Sequence, residues 1–179
     1  MRKLIFLMML VSIFAFVSCE KEDLVPETQD ELTTKSAKKV LNFRAHLSGD
    51  NEVPMVETMA TGQAIFQLNK EGTELSYKLI VANIENVLMA HIHMAPAGAN
   101  GGVVAWLYPA SPPPMLIEGT FEGILAEGVI TDDDVSGMTL MELVDEMYWG
   151  NTYVNVHTSQ YGGGEIRGQI MGNMPQPNK

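Results

Sequence analysis

The sequence predicts an all-β fold, an antiparallel β-sandwich of about eight strands with one short inserted helix. Three observations predict it. Apolar and polar residues alternate with period two in one short segment after another, the pattern of strands with one buried face. Gly, Asn, Asp and Pro punctuate those segments at close spacing, as antiparallel connections require. Only one stretch carries apolar residues at helical spacing.

Taken in order, Asn42 to Leu47 alternates Phe43, Ala45 and Leu47 against Arg44 and His46, a first strand with His46 exposed. Ser48 to Pro54 is a loop in which Gly49, Asp50 and Asn51 favour turns. Gln63 to Asn69 buries Ala64, Phe66 and Leu68, turns at Asn69 to Gly72, and returns as Glu74 to Val81 with Leu75, Tyr77, Leu79 and Val81 inward. Leu88 to Met94 is the next strand, with Ala90, Ile92 and Met94 on one face and His91 and His93 on the other. A Gly- and Asn-rich loop from Ala95 to Gly102 precedes the apolar strand Val103 to Tyr108, which Pro109 and Pro112 to Pro114 break. Met115 to Leu125 contains Gly119 and Gly123 and reads as a bent or bulged strand.

Thr139 and Glu142 form a capping-box pattern, and Leu140, Leu143, Val144 and Met147 follow at helical spacing until Gly150. The last hairpin runs from Asn151 to His157 and from Glu165 to Ile170 across Gly162, Gly163 and Gly164. Val154, Val156, Ile166 and Ile170 face inward, and Tyr153, Asn155, His157, Glu165, Arg167 and Gln169 face the other way. Three of the four histidines therefore lie on polar strand faces.

The chain has 179 residues, 46% of them hydrophobic, enough for one domain that buries roughly two-thirds of its unfolded surface. Its formal net charge of -11 opposes phosphate backbones, so no nucleic-acid partner is expected. A single cysteine excludes an intramolecular disulfide and a cysteine-based zinc site.

Arg2 and Lys3 precede an apolar run from Leu4 to Val17, the layout of a secretory signal and too short for a membrane span. Its end, Phe16-Val17-Ser18-Cys19, resembles a bacterial lipobox, with Phe16 where leucine is usual. The resemblance implies lipidation of Cys19, and Glu20 to Asp23 resembles the acidic export signal of Bacteroidetes surface lipoproteins. The expected organisation is a signal peptide at 1–18, a lipidated Cys19 and flexible tether at 19–40, the β-sandwich at 41–171 and a flexible tail at 172–179. The expected location is the cell envelope, in the outer membrane and facing either side.

Five segments resemble the CHRD domain, named after chordin: Leu47 to Pro54 with its Ser48-Gly49 and Glu52-Val53-Pro54, Ala90 to His93, Asn100 to Val104, Tyr153 to Thr158, and Gly163 to Ile170. They span about residues 41–171 in the family's order. In chordin the resemblance implies an extracellular growth-factor-binding module. None of chordin's cysteine-rich modules is present here, so growth-factor binding is not carried over. The expectation is a non-enzymatic binding or scaffolding module whose partner is an envelope or extracellular protein or a glycan.

Two chemistries remain open on the polar faces. His91 and His93 are an H-x-H on one strand, and a third imidazole from His157 would complete a three-histidine site suited to copper or zinc, with water or Glu165 in a further position. The layout resembles copper–zinc superoxide dismutase in kind, although the other ligands and the arginine-bearing loop of that enzyme have no counterpart. Alternatively, the three histidines with Asn155, Glu165 and Arg167 form a cross-strand hydrogen-bonded array that holds register. Asp132 to Asp134 lacks the spaced oxygens of a calcium loop and reads as a helix start or solvated turn. Methionines read as core filler, and Trp106 and Trp149 as packing residues. Tyr108, Tyr153 and Tyr161 are the only aromatic support for a glycan-binding groove. No Gly-x-Ser-x-Gly elbow, phosphate loop or Cys–His pair occurs, and no catalytic residue is assigned.

Overall fold

A computed structural model describes residues 42–173. The leader, Cys19, the tether and most of the expected tail lie outside the described residues. Eight strands follow in order: β1 (Asn42–Ser48), β2 (Thr61–Leu68), β3 (Leu75–Met94), β4 (Gly102–Tyr108), β5 (Ile117–Ile130), β6 (Thr152–Thr158), β7 (Ile166–Gln169) and β8 (Met171–Gly172). One helix, α1 (Leu140–Tyr148), is inserted before β6, and short 3-10 turns occupy Gly49–Asn51 and Asp132–Asp134. Among the described residues no helix is long and apolar enough to cross a membrane.

All pairings are antiparallel. The expected sandwich is present in a closed form: the sheet runs β2-β1-β7-β6-β3, and β2 also pairs with β3, so the ribbon returns on itself as a barrel. Strand β3 makes this possible. The two strands expected at Glu74 to Val81 and Leu88 to Met94 are one 20-residue strand. Its first half pairs with β2 on one edge and β5 on the other, and its second half pairs with β6 and β4. Between the halves, Asn83 and Asn86 adopt positive φ and the register against β5 shifts, a bulged irregularity that bends the strand. Strand β5 likewise extends to Ile130 rather than ending at Leu125, and Gly172, expected in the tail, pairs with Phe43.

Most residues that alternation turns inward are buried, although Val103 is exposed and Met94 half-buried. Phe43, Phe66, Leu79, Ile84, Ile92, Val154, Val156, Ile166 and Ile170 are buried in one continuous core. Burying each large side chain of this kind contributes about 1.5–3 kcal/mol. Helix α1 closes one side through Leu140, Leu143, Val144 and Met147. Its start is fixed as the sequence requires: the Glu142 amide donates to Thr139 Oγ1 (3.3 Å), and the Thr139 amide to the Glu142 carboxylate (2.7 Å). Two expectations about packing fail. Met147 is core, but Met55, Met59, Met115, Met141 and Met171 are exposed. Trp149 is also exposed and packs edge-on against Tyr148.

Candidate metal centre

The register of β3 against β6 builds the site. His91 is paired with Asn155, His93 with Tyr153, and Met89 with His157, which sets His157 diagonally beside His91 on the same face. β7 adds Arg167 opposite Asn155, and β4 adds Trp106 opposite His91. The polar faces of the histidine strand and the last hairpin thus meet.

That polar face does not meet solvent. His91, His93, Tyr153, Asn155, His157, Glu165 and Arg167 are all buried. Two loops cover them, tied down by hydrogen bonds that alternation does not reveal. Arg167 donates to the Pro96 and Ala99 carbonyls (3.2 and 2.8 Å) and to Asn100 Oδ1 (3.1 Å). Asn100 Nδ2 donates to the Val53 carbonyl (2.6 Å), and Asn51 Nδ2 to the Arg167 carbonyl (3.0 Å). Arg167 also lies 3.5 Å from the centre of the Tyr153 ring, whose other neighbour, His93, is stacked at 4.9 Å.

The imidazoles are held in defined orientations. His93 Nδ1 is 3.0 Å from the Gly101 carbonyl, and His157 Nδ1 is 3.1 Å from that of Gly162. A carbonyl only accepts, so both Nδ1 atoms carry the proton and both Nε2 atoms present bare lone pairs. This is the arrangement by which backbone carbonyls orient metal-binding histidines. Two glycines let the backbone come this close. A Cβ on Gly101 would run into the Met94 carbonyl, and one on Gly164, at φ +125°, into the Asn155 amide.

His91 Nδ1 lies 3.2 Å from His157 Nε2, and ligating nitrogens of all three rings lie within 4.8 Å of one another. Tetrahedral coordination at bond lengths of 2.0–2.1 Å separates donors by about 3.3 Å. The 3.2 Å contact is a hydrogen bond from His91 Nδ1 to the bare His157 Nε2, so His91 offers its other nitrogen, Nε2, to a metal. Among the described residues, five buried side-chain N or O atoms lack a hydrogen-bond partner, and four belong to this constellation: His91 Nε2, His93 Nε2, Asn155 Oδ1 and Glu52 Oε1. Buried polar atoms without partners are rare, and the two bare imidazole nitrogens among them are what a bound metal would engage.

The electrostatics agree with this donor set. Burial, reinforced by His157 and His93, pushes the His91 pKa down to about 3. Burial lowers His157 to about 4 against the opposing pull of the Gly162 carbonyl. His93 is lowered by burial, against the Gly101 carbonyl, with the Arg167 charge adding to the effect. All three imidazoles are therefore neutral at pH 7, the form that binds metal.

Glu165, expected as a further ligand or as a member of a cross-strand hydrogen-bonded array, takes the second role. Its carboxylate accepts from the Thr58 and Thr158 hydroxyls (2.7 and 2.8 Å) and anchors the loop before β2 to the last hairpin. Asn155 Nδ2 reaches Glu52 Oε2 (3.4 Å), a buried acid that alternation did not single out. Its only sequence signal was its place in the Leu47 to Pro54 motif. Burial pushes its pKa up to about 7, with Arg167 opposing the rise. Trp106 contacts the His91 ring edge-on at 4.2 Å, a packing role at the site itself. Tyr108 and Tyr153 are buried, leaving only Tyr161 exposed, so no three-tyrosine groove exists. His46 is exposed, and the carboxylates of Asp132 and Asp134 accept from the Leu140 and Thr131 amides (2.6 and 2.9 Å).

A family model described as the CHRD domain matches residues 43–170. No curated protein and no solved structure matches the chain.

Proposed function

The chain belongs to the CHRD domain family, and on that premise we propose that it is a binding module whose ligand is a transition-metal ion, copper or zinc, held by His91, His93 and His157. The observation that carries this reading is the pair of bare Nε2 atoms, on His91 and His93, buried without partners beside His157 Nε2. Three neutral imidazoles suit copper and zinc and leave a coordination position for water or an exogenous ligand. The competing reading, a layer that only holds register, is favoured by the His91–His157 hydrogen bond at 3.2 Å. It leaves the other two Nε2 atoms unexplained.

Tag-free protein, stripped of metal and titrated with zinc or copper(I), is expected to take up one equivalent, and His93→Ala to weaken uptake at least tenfold. No stoichiometric metal in the wild type, or an unchanged affinity in His93→Ala, would remove the metal reading.

The module is further proposed to sit at the cell envelope on a lipid attached to Cys19, supported by the leader and by the polar stretch from Glu20 to Lys39. Cells fed a radiolabelled fatty acid should label the wild type and not Cys19→Ala, whereas equal labelling of both discards the anchor. An envelope protein or glycan partner remains part of the same proposal, as does non-enzymatic action.

A further inference from the structure

A cluster of three neutral imidazoles supplies no counter-charge for a divalent cation, and the buried Arg167 guanidinium nearby makes the deficit larger. A dication placed there calls for a balancing charge within the protein, because the three imidazoles are buried. Two carboxyls are buried among the described residues, Glu52 and Glu165. Glu165 has both oxygens engaged by the Thr58 and Thr158 hydroxyls (2.7 and 2.8 Å). Glu52 has one oxygen without a partner and the other at the end of a long 3.4 Å contact from Asn155 Nδ2. Asn155 connects it to the site, being the register partner of His91 on one side and of Arg167 on the other.

Glu52 also has a route to water. It borders a cavity of about 250 Å³ lined with Asp50, Asn51, Arg167 and Gln169. The groups facing it are Arg167 and Gln169 from β7, Asn155 from β6, and Asp50 from its own turn, with His91, His93 and His157 beyond Asn155. Arg167 alone among these carries a positive charge, and Glu52 still does not form a close ion pair with it.

We propose that Glu52 is the charge-compensating residue of the histidine cluster, holding a proton while the cluster is empty and releasing it to solvent through the cavity when a divalent cation enters. The inference rests on the metal reading above. Its balance is simple: one O–H bond breaks, the proton leaves with water, and the electron pair stays on the Glu52 carboxylate, which reaches the cluster through Asn155. Burial, which pushes Glu52 up to about 7 in the empty protein, puts the exchange within the physiological range. A dication then favours the ionised form, so divalent binding tightens as pH rises.

The test counts protons. Calorimetric titration of tag-free protein with zinc at pH 6, in two buffers of different ionisation enthalpy, gives the protons released per metal bound. The wild type is expected to release close to one. Glu52→Gln, a neutral isostere of the protonated form, is expected to release close to none and to bind zinc at least tenfold more weakly at pH 8. Its affinity should be nearly flat between pH 6 and 8, where that of the wild type rises. Glu52→Asp keeps a titratable group and should keep the release. Equal proton release by the wild type and Glu52→Gln, with zinc bound by both, overturns the role of Glu52 and leaves the metal site standing. Failure of the wild type to bind zinc or copper(I) overturns both.

Discussion

The two halves of β3 obey the same alternation and end in opposite environments. In the first half Leu75, Tyr77, Leu79 and Val81 are buried, while the opposite face carries Ser76, exposed, and Lys78, paired with Glu127 at 3.2 Å. In the second half Ala90, His91, Ile92 and His93 are buried in unbroken succession. The inner face is the same apolar barrel wall in both. The outer face is wetted in one half and roofed by two loops in the other. Period two therefore says which residues share a face, and covering loops decide whether that face meets water. A polar face that is roofed must satisfy its own donors and acceptors, and here it leaves four atoms short.

Truncating the shared inner wall gives the largest expected effect. Leu79→Ala in the first half and Ile92→Ala in the second each remove a fully buried side chain from the same core. Each is expected to lower unfolding stability by about 3 kcal/mol, within the usual spread for such cavities. Chemical denaturation of the metal-free protein measures both. A cost for Ile92→Ala below about 1 kcal/mol would mean that the second half is not part of the cooperative core, and the comparison would break there. The outer ion pair of the first half, Lys78 with Glu127, is exposed and belongs to a class that contributes about 0–1 kcal/mol.

The legible parts of the chain are those that alternation governs. It located the strands, the core residues and the helix cap, and it put His91, His93 and His157 on polar faces. It missed the continuity of β3, because the bulge geometry that Asn83 and Asn86 adopt leaves no separate mark in the sequence. It also missed the roof. An arginine on an alternating strand reads as solvated, whereas Arg167 spends its donors on carbonyls of the 95–101 loop. Glu52 sits among Gly, Asp, Asn and Pro residues that signal an exposed turn, and its burial follows from contacts to Asn155 more than a hundred positions away. Long-range closure of that kind has no local period.

A smaller effect separates the two outer faces by pH. His91 and His157 have folded pKa values of about 3 and 4, below the ordinary 6.5, because burial penalises their charged forms. Between those values the unfolded chain binds more protons than the folded one, so their contribution is fully present above about pH 6.5 and is lost as pH falls toward 3. Glu52 works in the other direction. Its folded pKa, raised to about 7, means that the folded chain holds the extra proton between pH 4.5 and 7, and acidification through that window stabilises. The lowered histidines, His93 among them, outweigh Glu52, so the metal-free protein loses stability between pH 7 and pH 4.5. Glu52→Gln removes the offset and should steepen the loss. Hydrogen exchange localises it: amides of Ala90 to His93 and Tyr153 to His157 should lose protection on acidification before those of Leu75 to Val81. If both halves lost protection together, the roofed polar layer would not be an acid-sensitive unit, and the contrast between the halves of β3 would reduce to geometry alone.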